Sequence, residues 1–324
     1  MNKTKNTFIT LLFCLLSCTG TSGFIVQENT DQQDKVEPYV GGITHSIPIP
    51  EKTDFCGEEI DLDRYDLYER FDREITAFTY MHSNTLGSIK RANRYFPLLE
   101  AELKKNDIPK DFIYLSFIES DMRPRAVSHA RAAGFWQLLP QTARQYGLEV
   151  NQFVDERFDP VKATYAASRY LKEAYAKFGS WIDVAASYNA GMARISTTRE
   201  FQQVSSILDM WLNEETYRYV MRIVAAKELL KKPSLYGFLI TADQLYQPIE
   251  VKEMKITTPI DDLVTFAKNN GTTYLHLKDL NPWLISTSLP NKSGKEYTIL
   301  IPVQDKMGYK SMPDKAHDEN WIVK

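Results

Sequence analysis

Cysteine, histidine and surplus basic charge are all scarce in this chain of 324 residues. The cysteines are Cys14, Cys18 and Cys56, and the first two lie close to the start, so Cys56 has no obvious disulfide partner. The five histidines are scattered without metal-ligand spacing, and we therefore expect no metal site and no cofactor. Lys and Arg total 39 against 42 Asp and Glu, and this balance argues against nucleic acid as a partner.

Strand-like alternation is missing from most of the chain. Between residues 61 and 240, apolar side chains recur at three- and four-residue spacing, which is typical of helices. Charged residues make up 25% and hydrophobic residues 43%, as in an ordinary globular protein. The length allows one sizeable domain and a small one. The pattern predicts a mostly α fold.

The first residues are typical of a targeting segment. Lys3 and Lys5 precede an apolar run, Phe8 to Leu16, that is too short to span a bilayer. The run ends in Leu15-Leu16-Ser17-Cys18, which resembles the lipobox of bacterial lipoproteins. That resemblance implies a signal peptide over residues 1–17 and a lipidated Cys18 that anchors the chain to a membrane. An ordinary secretory signal is the alternative.

The segment after Cys18 is polar and carries several prolines. We predict that residues 18–60 form a largely unstructured tether, with a docked N-terminal arm as the alternative. Thr19 follows the cysteine, and among lipoproteins the absence of Asp there implies the outer membrane. The expected location is the cell envelope, facing the periplasm.

The most informative stretch begins at Phe112. Apolar residues fall on every side of the run that ends at Ser120, so a helix here would be buried all round. Asp107 and Pro109 favour a helix start before the run, and Pro124 favours an end after it. Its one charged residue is Glu119, in the last turn. Apolar surroundings and the negative end of the helix dipole both raise the pKa of a carboxyl, which suits a general acid.

Further motifs follow in a defined order. They are Pro124, Ala126 and Ser128, then Gly134-Phe135-Trp136-Gln137-Leu138, and later Ser187-Tyr188-Asn189-Ala190-Gly191. Together with Glu119 they resemble the catalytic SLT domain of lytic transglycosylases, the lysozyme-like enzymes that cut peptidoglycan. The membrane-bound murein transglycosylase D group is the most similar. The resemblance implies a lysozyme-like α-helical catalytic domain over residues 61–240.

The resemblance also implies a reaction and a set of site residues. The β-1,4 bond between N-acetylmuramic acid and N-acetylglucosamine would be broken with formation of a 1,6-anhydro ring, Glu119 acting as acid and then as base. The residues implied beside it are Tyr188 near the carboxyl and the substrate-binding Ser128, Gln137, Asn189 and Glu215. One departure is Arg131, where many members have glycine.

The C-terminal part has a different pattern. Residues around Val251 and again around Ile299 alternate like strands, with two short helical segments between them. This β-α-α-β order resembles a LysM glycan-binding module over residues 245–304. The usual Gly-Asp-Thr after the first strand is replaced by residues 255–259, which weakens the expectation of glycan binding. Residues 305–324 are predicted to be a loose tail.

Two other functions compete with the lytic transglycosylase reading. A hydrolytic lysozyme would need a second carboxylate in the cleft, roughly 5–9.5 Å from the first. An inactive peptidoglycan-binding lipoprotein would keep the cleft without turnover. In all three cases the expected partners are peptidoglycan glycan strands and, through the lipid anchor, a membrane.

Overall fold

The computed structural model describes residues 45–323. The predicted signal peptide, Cys18 and most of the predicted tether lie outside these residues. None of the helices within the described range combines the length and apolar character that a bilayer crossing requires. From Ser46 onward the chain forms one compact unit.

A two-stranded antiparallel hairpin opens the described unit. Strand β1 spans Lys52–Phe55 and strand β2 spans Glu58–Asp61. Phe55 and Ile60 are fully buried, and the Phe55 ring meets the edge of Phe112 with centroids 5.1 Å apart. This part of the predicted tether is therefore docked, because its alternate side chains are apolar enough to join the core.

Buried charge also fixes the hairpin. The ammonium of Lys227 lies 2.7 Å from a carboxylate oxygen of Asp54 and 2.7 Å from one of Asp111. The Glu58 carboxylate accepts a 2.6 Å hydrogen bond from the Ser180 hydroxyl. Since removing one partner of a buried ion pair is costly, these contacts resist detachment of the arm.

The predicted mostly α fold is confirmed. Eight helices follow the hairpin: α1 Tyr65–Tyr80, α2 His82–Lys105, α3 Phe112–Ser120, α4 Pro140–Gln145, α5 Pro160–Phe178, α6 Trp181–Ala190, α7 Met192–Gln202 and α8 Glu214–Lys231. Helix α7 was not predicted. Helix α8 packs against α1, α3 and α6, which places it at the centre of the domain.

Helix α5 has a side-chain cap at its start and a glycine at its end. The Asp159 carboxylate accepts hydrogen bonds from the backbone N–H groups of Val161 and Lys162, each at 3.0 Å. Gly179 ends the helix with φ of 70°, in the left-handed region. The hydroxyl of Ser180 then caps α6.

The small C-terminal domain has the predicted β-α-α-β order. Its elements are β3 Val251–Ile256, α9 Leu263–Asn269, α10 Tyr274–Leu280 and β4 Tyr297–Pro302. Strands β3 and β4 pair antiparallel along their full length. The domain has its own apolar core, which includes Leu263, Leu277, Trp283 and Ile299. We call residues 245–304 the module.

The residues after the module differ from the predicted loose tail. Trp321 is buried, and its ring contacts that of Phe96 with centroids 5.7 Å apart. The backbone N–H of His317 donates to the Asn93 side-chain oxygen at 2.7 Å. The tail docks because it carries a large apolar side chain that removes the surface of α2 from water.

Candidate active site

Helix α3 carries Glu119 to the edge of the core. Every residue of the helix is buried except Tyr114 and Glu119, which are partly exposed. The helix ends at Ser120, earlier than Pro124 suggests, because Asp121 adopts a left-handed conformation with φ of 50°. The Ser120 hydroxyl accepts a hydrogen bond from the Met122 N–H and helps to fix this turn.

The pKa of Glu119 is raised to about 7, chiefly because burial disfavours the charged carboxylate. Nearby Glu215 raises it further. The Tyr219 hydroxyl, which donates a hydrogen bond to the carboxylate, and the Arg222 guanidinium both act in the opposite direction. A carboxyl with a pKa near neutrality can give up a proton and take one back, which general acid–base catalysis requires.

Three of these groups share one face of helix α8. Glu215, Tyr219 and Arg222 stand at positions i, i+4 and i+7, which brings them to the same side of a helix. Of the three, only Glu215 was implied by the family resemblance. Tyr219 and Arg222 could have been predicted from their helical spacing relative to Glu215, but only once α8 is known to face α3.

Burial raises the pKa of the predicted catalytic residue Tyr188 well above its usual value, and the nearby Glu119 carboxylate raises it further. Its hydroxyl, however, donates to the carbonyl oxygen of Trp136 at 2.7 Å. The contact with the Glu119 carboxyl that the sequence analysis expected of Tyr188 is made by Tyr219. A role for Tyr188 in catalysis remains a proposal.

Replacing Tyr219 with phenylalanine is expected to raise the pKa of Glu119 above 7. The phenol hydrogen bond stabilises the charged carboxylate, so its loss favours the protonated form. The measurement is an NMR titration of the labelled glutamate carboxyl. Tyr188→Phe is the matched control, since its hydroxyl bonds to a backbone oxygen, and the shift should be absent there. An equal shift in both variants would contradict this assignment.

The loop after α3 brings Ser128 and Gln137 to the same cleft as Glu119. The Gln137 amide donates to the backbone oxygens of Ala126 and Gly134, at 3.2 and 2.9 Å, which holds the loop closed. Arg131 has φ of 62°, in the left-handed region that glycine adopts without strain. The Arg131 side chain is exposed to solvent and does not enter the packing of the loop.

Asn189 and Glu215 come together at the junction of α6 and α8. The Asn189 amide nitrogen lies 3.5 Å from a Glu215 carboxylate oxygen. Its oxygen accepts a 2.7 Å hydrogen bond from the Thr216 hydroxyl, which fixes the amide orientation. Trp136 and Phe135 are fully buried, so they belong to the core.

A cleft of about 1190 Å³ runs past Glu119 and between the two domains. The wall formed by the helical domain includes Arg94, Tyr95, Glu119, Ser128, Gln137 and Lys162. The opposite wall belongs to the module and includes Val251, Glu253, His276 and Asp279. Within residues 45–323, no cluster of three or more His, Cys, Asp or Glu side chains has the arrangement of a metal site.

Two family models match separate parts of the chain. Residues 96–207 match the transglycosylase SLT domain, and residues 252–305 match the soluble lytic transglycosylase C-terminal LysM-like domain. The chain therefore contains an SLT domain followed by a LysM-like domain, as the sequence motifs predicted.

Among individual proteins, the chain is 29% identical over 259 residues to membrane-bound lytic murein transglycosylase D of Escherichia coli K12. The match covers 76% of this chain and 55% of the relative, so the chain spans about half the length of that protein. Two solved structures also match at 20% identity. One is the 70-kDa soluble lytic transglycosylase in complex with bulgecin A, with a TM-score of 0.39; the match covers 58% of this chain and 32% of that one. The other is an inactive mutant of the lytic transglycosylase Slt from Pseudomonas aeruginosa, with a TM-score of 0.34; the match covers 51% of this chain and 30% of that one.

Proposed function

We propose that this protein is a peptidoglycan lytic transglycosylase in which Glu119 is the acid–base residue. The observation that carries the proposal is a carboxyl with a pKa of about 7, held by Tyr219 at the edge of a large cleft. The SLT domain and the similarity to a lytic murein transglycosylase support the same activity.

In the proposed reaction, protonated Glu119 first gives its proton to the oxygen of the β-1,4 bond that leaves N-acetylmuramic acid. The resulting carboxylate then takes the proton of the C6 hydroxyl, which attacks C1 of the same sugar. Because the nucleophile is attached to the substrate, it is held close to C1 without a second catalytic group. The product carries a 1,6-anhydro ring.

The neighbouring residues would stabilise the transition state and hold the strand. Positive charge develops on the sugar ring as the bond breaks, and the exposed carboxylate of Glu215 is a nearby negative charge that favours it. Asn189 contacts Glu215, while the Ser128 hydroxyl and the side-chain oxygen of Gln137 can bond to the sugar or its substituents.

Hydrolysis by water is the second candidate function, and it needs another available carboxylate. Four other acids of the helical domain have structural partners: Asp121 pairs with Arg123, Asp159 caps α5, Asp183 pairs with Arg199, and Glu214 pairs with Arg73. Only Glu215 combines proximity to Glu119 with the absence of an ion pair among residues 45–323. Glu215 is thus the carboxylate that hydrolysis would use, but the lyase reaction needs no such partner and the SLT domain supports it, so we favour the lyase.

The mass of the released products distinguishes the two reactions. We expect purified protein acting on peptidoglycan to release muropeptides that are lighter by one water than hydrolysis products, since the internal hydroxyl replaces water. Mass spectrometry of the soluble fragments makes the measurement. Products of the hydrolytic mass would establish a lysozyme, and no products at all would favour the inactive binding protein.

We further propose that Cys18 is lipidated and anchors the protein in the cell envelope, facing the periplasm. The lipobox-like Leu15-Leu16-Ser17-Cys18 supports this, and the relative from Escherichia coli is named membrane-bound. The outer membrane is the proposed destination. An anchor there would hold the cleft near the glycan strands that it cuts.

A further inference from the structure

The module is joined to the catalytic domain by backbone pairing. The Asp155 N–H donates to the Trp283 oxygen at 2.9 Å, and the Ile285 N–H donates to the Phe153 oxygen at 3.1 Å. Between them, Val154 is buried within the apolar core of the module. A segment of the catalytic domain thus completes the module core, which fixes the two domains relative to each other.

Charged contacts strengthen the same junction. The Lys295 ammonium lies 2.7 Å from Glu149 and 2.8 Å from Glu156, and the Tyr297 hydroxyl donates to Glu149 at 2.8 Å. The Lys295 side chain is partly shielded from water and Glu156 is buried, so these contacts are stronger than those of exposed pairs. The module is therefore a permanent wall of the cleft.

Most charged side chains that line this cleft already have an ion-pair partner or another structural role within the protein. Arg123 pairs with Asp121 at 2.6 Å, and Lys162 pairs with Glu156 at 2.7 Å. A third pair crosses the cleft between the domains, from Arg125 to Asp279 at 3.2 Å. Asp159 caps α5, and Glu119 is the proposed catalytic group.

Two lining charges of opposite sign are left, one from each domain. Arg94 uses its Nε–H to bond the Gln247 backbone oxygen, and its guanidinium carbon lies 5.7 Å from the centre of the Tyr246 ring, but it makes no ion pair among residues 45–323. Glu253 makes neither an ion pair nor a side-chain hydrogen bond within the same range, and its strand neighbour Lys255 is paired with Glu296 at 2.9 Å. Such an arrangement is complementary to a ligand that carries both an anion and a cation.

We propose that Arg94 and Glu253 form a subsite for the peptide stem of the substrate, Arg94 binding a stem carboxylate and Glu253 binding the free amine of its diamino acid. This inference rests on the proposed function, because the stem is attached to the sugar that the catalytic domain would cleave. In this proposal the module helps to select strands that carry peptides. This role differs from binding glycan through a separate surface of the LysM-like domain.

Equilibrium binding of a soluble disaccharide-tetrapeptide, compared with the disaccharide alone, tests the subsite without any turnover. We expect Glu253→Gln and Arg94→Gln each to weaken binding of the peptide-bearing ligand by about threefold to tenfold, as for a lost charged hydrogen bond. Binding of the bare disaccharide should not change. Acetylating the stem amine should reproduce the Glu253→Gln loss in the unmodified protein and add nothing in that variant.

Glu250→Gln is the matched control, because Glu250 is an exposed glutamate of the same module that does not line the cleft. It should bind both ligands normally. Equal weakening of both ligands by Glu253→Gln, or no weakening at all, would overturn the subsite. Failure to release anhydro products would overturn the proposed function instead, and the binding result would still decide the subsite.

Discussion

Glu119→Gln is expected to lower the rate of anhydro-muropeptide release by about 10³-fold or more, since both proton transfers would lose their shared group. Glutamine keeps the shape of the side chain and can still accept a hydrogen bond from Tyr219. The fold and the binding of glycan strands should therefore remain. Product release is measured by mass spectrometry, and strand binding by co-sedimentation with peptidoglycan.

The same variant has a second readout that does not depend on turnover. The folded-state pKa of Glu119, about 7, lies above that of an unfolded glutamate, so folding is penalised as pH rises from about 4.5 through 7. Glu119→Gln removes the penalty. Relative to the wild type, it should gain on the order of 3 kcal/mol in the free energy of unfolding at pH 8 and nothing at pH 4.

Glu214→Gln provides the control for both measurements. Glu214 is exposed and pairs with Arg73 at 2.7 Å on the surface, so its loss should change neither product release nor the pH dependence of unfolding. Product release by Glu119→Gln at a rate close to that of the wild type would refute the acid–base assignment.

The sequence predicted the position of Glu119 because local pattern was sufficient there. An apolar run on all sides requires a buried helix, and a carboxyl within its last turn must have a raised pKa. The order of strands and helices in the module could also be predicted from local pattern, since its elements are short and are separated by turn residues. These features depend on neighbours in the sequence.

The remaining features depend on residues that are far apart in the chain. Tyr219 bonds to Glu119 across a separation of 100 residues, and only the packing of α8 against α3 brings them together. Trp321 joins the core through Phe96 in the same way. The module forms one wall of the cleft because Val154 of the catalytic domain packs into the apolar core of the module. No local sequence pattern predicts this contact.

Gly134→Ala is expected to destabilise the protein by on the order of 4 kcal/mol, and to do so at the loop that carries Ser128 and Gln137. A Cβ atom at this position would lie 1.9 Å from the backbone oxygen of Arg157, where no side chain can move aside. The Arg157 guanidinium in turn holds the loop through the Arg131 and Leu138 oxygens, at 2.7 and 3.0 Å. A shift of either backbone therefore disturbs the cleft.

Gly179→Ala separates the effect of this clash from that of backbone strain. Gly179 has φ of 70°, close to the 76° of Gly134, but an added Cβ there meets no atom within 4 Å. Its loss should cost only about 1 kcal/mol, the penalty of a left-handed conformation. Urea denaturation measures both variants. If the two substitutions cost the same, close approach to Arg157 is not what requires glycine at 134, and the loop is held by its own hydrogen bonds alone.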